Sequence, residues 1–285
     1  QQRTIVQRIG SGEPGFADGP AEEASFEAPQ GLISDASCIY VADTSNHSIR
    51  AVDRGTGTVT TLAGTGKRGA ILGVPSPAGI TALASPWDLE LLDGRLLFAN
   101  AGSHQLGVFD LADGTVARLA GTGAEALVDG DACDEAVLAQ PSGLALDEEG
   151  NRLFFADSET SSIRVLDLQS LTVTTLVGTG LFDFGHQNGL LRDARFQHAL
   201  GLAWRGDGLI VADSYNRAVR FLDLEAGTVR DLEPGMTCQD PVCLRLGEPA
   251  GIAVRGSGEI LLADTNNHRI LIMDPVGRTY RTWLR

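Results

Sequence analysis

Trp87 and Asp88, in the run SPWDLEL, set an indole beside a carboxylate at the start of a strand-like segment. That pair can touch a ligand or a partner if it faces the mouth of a channel. The plainer reading packs the Trp between neighbouring segments and leaves Asp88 capping a turn. Asn100 and His104 add an amide and an imidazole in the same region. A second group lies in the loop Leu181 to Asn188, where Phe182, Phe184 and His186 flank Asp183. Aromatics in a polar loop are the side chains that anchor protein interfaces; they could also fold over a channel mouth. Cys238 and Cys243, in TCQDPVC, have a spacing that can close a disulfide across a proline turn. They form a candidate redox pair, with two free thiols as the alternative, and lack the two-residue gap of a thioredoxin motif.

Other chemistry is not supported by the pattern. Asp43, Asp157, Asp213 and Asp264 each precede Thr or Ser, the arrangement of a carboxylate that accepts turn amides. His47, His104 and His268 share one repeat position with Ser161 and Arg217, an alternation that suits turn packing better than zinc. The acidic turns GEPGFADG, GAEALVDG and GLFDFGHQNG lack the twelve-residue calcium loop, and AGTG opens no helix on which a phosphate could sit. No catalytic residue, metal or cofactor is assigned.

The elements that carry these residues follow from an internal repeat. YVAD, LFAN, FFAD, IVAD and LLAD end at Asp43, Asn100, Asp157, Asp213 and Asp264, at spacings of 57, 57, 56 and 51. Ten residues later comes Asp53, Asp110, Asp167, Asp223 or Asp274. With the flanking runs, each repeat supplies four short β-rich segments separated by Gly, Asp, Asn and Ser, which predicts four-stranded antiparallel sheets. Such sheets must stack to bury both faces, so the predicted fold is an all-β propeller. The expected organisation is one domain over 1–285, with repeats near 29–69, 86–130, 141–189, 199–236 and 249–285. Residues 1–28 read as the outer strand and return loop of a preceding blade, because TIVQRIGSG looks like the fourth strand of the other repeats. The expected count is therefore six blades, five complete and one represented by a single strand.

The segments ADTSNHSIR and ADTNNHRIL, with P-x-G-(L/I) and TVTTLAGTG around them, resemble the NHL repeat. Over essentially the whole chain, SPWDLEL, AGTGAEALVDG and EPAGIAV resemble the NHL group, with bacterial and plastid members, in which a six-bladed propeller follows a thioredoxin-like domain. That resemblance implies a noncatalytic interaction propeller, a module of a larger protein, whose partner is another protein or the attached thioredoxin-like domain. The alternative is a propeller hydrolase or lyase with a metal in its channel, for which Asp88 is the one acid seen at a mouth position.

Lys and Arg number 22 against 37 Asp and Glu, a net charge of −15. That charge disfavours nucleic acid and anionic membranes, although a local patch at Arg217 and Arg220 is conceivable. No bilayer-spanning run is present, since the longest uncharged stretch, Gly69 to Trp87, contains three prolines. The chain starts with Gln and reads as a processed or excised piece, soluble, with the cytoplasm or an organelle lumen as its expected place. Its oligomeric state is open.

Overall fold

A computed structural model describes residues 5–71, 73–232, 237–238, 245–274 and 279–284. They divide into two compact units, 1–119 and 120–285. Unit 1 holds two sheets. The first is β1 (Leu32–Ser34), β2 (Cys38–Asp43), β3 (Ser48–Asp53) and β4 (Val59–Ala63), paired in chain order. The second contains β5 (Ser76–Pro77), β6 (Pro86–Leu92), β7 (Arg95–Asn100), β8 (Gln105–Asp110) and β9 (Thr115–Ala120), in the order β5-β9-β8-β7-β6.

Unit 2 holds three sheets. One has β10 (Gly130–Asp131), β11 (Pro141–Leu146), β12 (Arg152–Asp157), β13 (Ser162–Asp167) and β14 (Thr172–Val177). The next has β15 (Gly189–Leu190), β16 (Gly201–Trp204), β17 (Gly208–Asp213), β18 (Ala218–Asp223) and β19 (Thr228–Asp231). The last has β20 (Thr237–Cys238), β21 (Pro249–Val254), β22 (Ile260–Asp264), β23 (Arg269–Met273) and β24 (Thr279–Leu284). In all three, the short first strand lies at the edge beside the final strand.

The five sheets are the blades of an all-β propeller, and their number corrects the expected six. Ile5 to Gly12, read in the sequence as the outer strand of a preceding blade, forms no strand. β-like composition needs a neighbouring strand to complete a ladder, and here the amides of Gly10 and Ser11 turn instead to the carbonyls of Ala21 and Ala24. In four of the five blades the strand count also differs from four. Each connector lends two residues to the outer edge of the following blade, as Gly130 pairs with Val173 and Gly189 with Val229. In the first blade this edge shrinks to a single bridge, Gly19 to Val59. Covering an edge in this way hides backbone groups that would otherwise invite another chain.

The regular acidic punctuation has a local cause. The Asp53 carboxylate accepts the amides of Gly55 and Thr56, and Asp110 and Asp167 do the same in their own hairpins. The connectors also supply core: Leu83, Leu138 and Phe196 are fully buried and Leu246 nearly so, while Phe26 is half-buried. Glycine in the P-x-G run lets inner strands approach. A Cβ on Gly143 would stand 2.6 Å from the Leu200 carbonyl oxygen, and one on Gly31 would stand 2.7 Å from the Asp88 Cα. Among the described residues, no helix is long and apolar enough to cross a membrane.

Candidate functional site

Each connector is held by a buried lock at the end of the second long strand of its blade. Asp43 takes the Glu27 amide on one oxygen (2.8 Å) and Arg50 on the other (2.6 Å). The Arg50 guanidinium then donates to the carbonyls of Ser25 and Ala17 and to Asp18. Asp157 and Arg164 repeat this arrangement on Ala139, Val137, Val128 and Asp129, and Asp213 and Arg220 repeat it on Gln197, Arg195, Gln187 and Asn188. The carboxylates are fully buried and so are the three arginines. Burial pushes the Asp157 carboxyl up to about 6, against the pull of Arg164 and the Ala139 amide. Burial also raises Asp213. The last blade brings its arginine from a different position, Arg269 meeting Asp264 at 2.6 Å.

The turn aspartates therefore cap connector backbone 16 to 18 residues upstream rather than the amides of their own turns expected from the sequence, and their arginine partners were not foreseen. Asp and Arg seven residues apart in three repeats were the available signal. Arg220 is fully buried, so it belongs to no surface patch with Arg217, which is exposed.

The turns that follow join successive blades. Thr44 donates its hydroxyl to the Pro86 carbonyl (2.7 Å), Ser158 to Ala199 (2.8 Å) and Ser214 to Pro249 (2.6 Å). The residue closing each turn is left-handed, with φ from 51° to 55° at His47, His104, Ser161, Arg217 and His268. His47 accepts the Ser85 amide on Nδ1 at 3.0 Å, and the Ser161 hydroxyl accepts the His198 amide at 3.1 Å. The His47 imidazole and these hydroxyls thus bind backbone. Among the described residues no group of three His, Cys, Asp or Glu is placed to hold a metal.

In unit 1, Trp87 and Asp88 are half-buried on β6. Asp88 occupies the position that is glycine in the other four repeats, and its Oδ1 accepts the Leu89 amide at 2.9 Å. Asn100 is fully buried, accepting the Ala84 amide and donating to Ser103, so it acts as the cap of its own connector. His104 is half-buried, its amide bound to the Ala101 carbonyl.

In unit 2, the loop 179–188 is the better surface. Two residues longer than the corresponding stretches at Glu13 and Ala124, it uses the extra length to present Phe182, 92% exposed, and Phe184, 52% exposed. The loop is nevertheless tied down. Arg195 meets Asp183 at 2.6 Å, Thr179 donates to the same carboxylate, Arg220 grips Gln187 and Asn188, and Asn216 donates to the Gly185 carbonyl at 2.8 Å. Those two partners hold the Asp183 carboxyl below the usual range, Thr179 first and Arg195 second. His186 is exposed and pairs with Asp231 at 2.8 Å. The groups containing Trp87 and Phe182 thus belong to different units. Of the candidate redox pair, Cys243 lies outside the described residues, and Cys238 is placed only as backbone of β20.

Comparisons agree with this architecture. The NHL repeat model matches residues 246–273. Protein SUPPRESSOR OF QUENCHING 1, chloroplastic, of Arabidopsis thaliana is 37% identical over 285 residues, covering 95% of this chain and 27% of that protein. NHL repeat-containing protein 2 of Homo sapiens is 36% identical over 309 residues, covering 95% of this chain and 42% of that protein. The chain spans less than half the length of either relative. Among solved structures, the nidogen/laminin complex matches with TM-score 0.65 at 16% identity, over 92% of this chain and 82% of that one. Streptogramin B lyase matches with TM-score 0.58 at 12% identity, over 94% and 72%. At such identities those two speak for the fold alone. Five repeat-built blades, the repeat matched at 246–273 and relatives spanning nearly all of its length make this chain an NHL-repeat β-propeller related to NHL repeat-containing protein 2.

Proposed function

We propose that the chain is a noncatalytic protein-interaction module, one part of a longer protein, and that the loop 179–188 is its contact surface. The observation that carries this reading is the exposure of Phe182 and Phe184 on a loop whose backbone is otherwise fixed. Exposed aromatics on a mobile loop would lose ordering entropy on binding; on a fixed loop most of that cost is already met. Aromatic anchors of this kind dominate interface energetics. The partner is another protein, or a thioredoxin-like domain of the same polypeptide, as the NHL group implies.

The test places a photo-crosslinking phenylalanine analogue at 182 in the full-length protein in its own cells, with a second version at exposed Thr60 as control. A discrete adduct, or an intramolecular link to another domain, is expected from 182 and not from 60. The adduct should disappear when Phe184 is also changed to Ser. Equal labelling from both positions, or none from 182, overturns the reading.

A further inference from the structure

We propose that the surface carrying Phe184 and Tyr215 takes a basic peptide segment, one offering a lysine or arginine beside an apolar side chain. This rests on the interaction reading above and names the chemistry of the partner. The bond from the Asn216 amide to the Gly185 carbonyl puts the neighbouring residues Tyr215 and Phe184 on adjoining loops of unit 2. Both are about half exposed, at 53% and 52%. The Tyr215 ring stacks on His198 at 4.4 Å with 24° between planes, and its amide is bound to the Gln197 carbonyl, so the ring is held from below and open above.

Around His198 stand Glu159, in the turn Ser158–Thr160, and Glu248, just before β21. Burial lowers the His198 pKa, and both carboxylates, acting electrostatically on the imidazole, pull against that fall without reversing it. Both are half-buried, and among the described residues neither side chain has a hydrogen-bond or ion-pair partner. Two unpaired carboxylates near the imidazole that backs an exposed tyrosine ring are what an ammonium or guanidinium group seeks: an aromatic quadrupole together with charge-assisted acceptors. Exposed Arg217 sits on the Tyr215 loop, and Arg195 is already engaged by Asp183. The chain as a whole carries a net charge of −15, which attracts basic partners and repels acidic ones.

The experiment selects binders to the 285-residue chain from a displayed library of random twelve-residue peptides. The selected peptides are then measured against wild type, a Glu159→Gln/Glu248→Gln double variant and a Phe184→Ser variant. Expected are peptides enriched in Lys and Arg next to apolar residues. Their Kd should weaken roughly tenfold in the double Gln variant, should weaken at least as much in Phe184→Ser, and should rise with salt. Peptides that depend on Phe184 but are neutral or proline-rich and indifferent to the Gln changes overturn the basic specificity and leave the interaction surface standing. Peptides indifferent to all three substitutions, or no enrichment at all, overturn both.

Discussion

The first two blades of unit 1 solve one problem with different chemistry. Both must satisfy connector backbone that the fold buries. In the first blade the Asp43 and Arg50 pair does so with full charges. In the second, Asn100 replaces the aspartate, and Gln105 binds both the amide and the carbonyl of Ile71 at 3.2 Å. Where the arginine would stand there is Gly107, and a Cβ on it would collide with Phe98 and Ile71, which fill that volume. The comparison teaches that the blade needs its connector amides and carbonyls satisfied and its interior filled; the ion pair is one means among others. That agrees with the general balance between desolvation and Coulomb attraction in buried pairs.

The most damaging way to probe this is to leave one buried charge without its mate. Arg164→Leu should cost about 3–5 kcal/mol in denaturant unfolding, while Arg164→Leu combined with Asp157→Asn, which removes both charges, should be less destabilised than the single variant. A double variant as unstable as the single one would mean that the guanidinium contacts to the connector carbonyls, rather than the charge balance, hold the blade. The neutral lock should break more gently. Gln105→Leu strands the Ile71 amide and carbonyl and should cost about 1–3 kcal/mol in the same assay; an effect as large as that of Arg164→Leu would erase the distinction between the two solutions. The smallest effect concerns protons. Burial, and then nearby Arg68, lowers the His47 pKa, and burial lowers that of His198. The unfolded chain therefore accepts protons that the folded chain resists, so stability is full above the usual histidine value of about 6.5 and falls as pH drops below it. Thermal melting between pH 7 and pH 5 should show that loss. His47→Asn, which tolerates the left-handed turn, should flatten the slope; an unchanged slope would remove His47 from the account.

The repeat and the strand type were legible in the sequence because burial, alternation and turn chemistry leave a periodic trace. What was not legible depends on partners far away in sequence. TIVQRIGSG has the composition of an edge strand, yet only a neighbouring strand could make it one, and the edge of the first blade is supplied by Gly19 instead. Asn100 looked like a surface candidate because it broke the Asp pattern. It breaks the pattern because a neutral amide suits a lock without arginine. Asp88 stood out as a departure from glycine, but the reason for the glycine, the close approach of the next strand, exists only in three dimensions. The aromatic loop could be read from its odd composition, whereas its fixation by Arg195, Arg220 and Asn216 could not. Tyr215 and His198 drew no notice at all, since each is unremarkable until the two rings stack.

The hydroxyls of Thr44, Ser158 and Ser214 have a last consequence, for how such a chain can change over evolutionary time. In the first, third and fourth repeats this hydroxyl donates forward to a carbonyl at the start of the next repeat, so the joint is head-to-tail rather than self-matching. A unit copied whole brings both halves of that joint with it. Gain or loss of such a repeat by duplication then requires no new interface, since the seams made by these hydroxyls already share one chemistry.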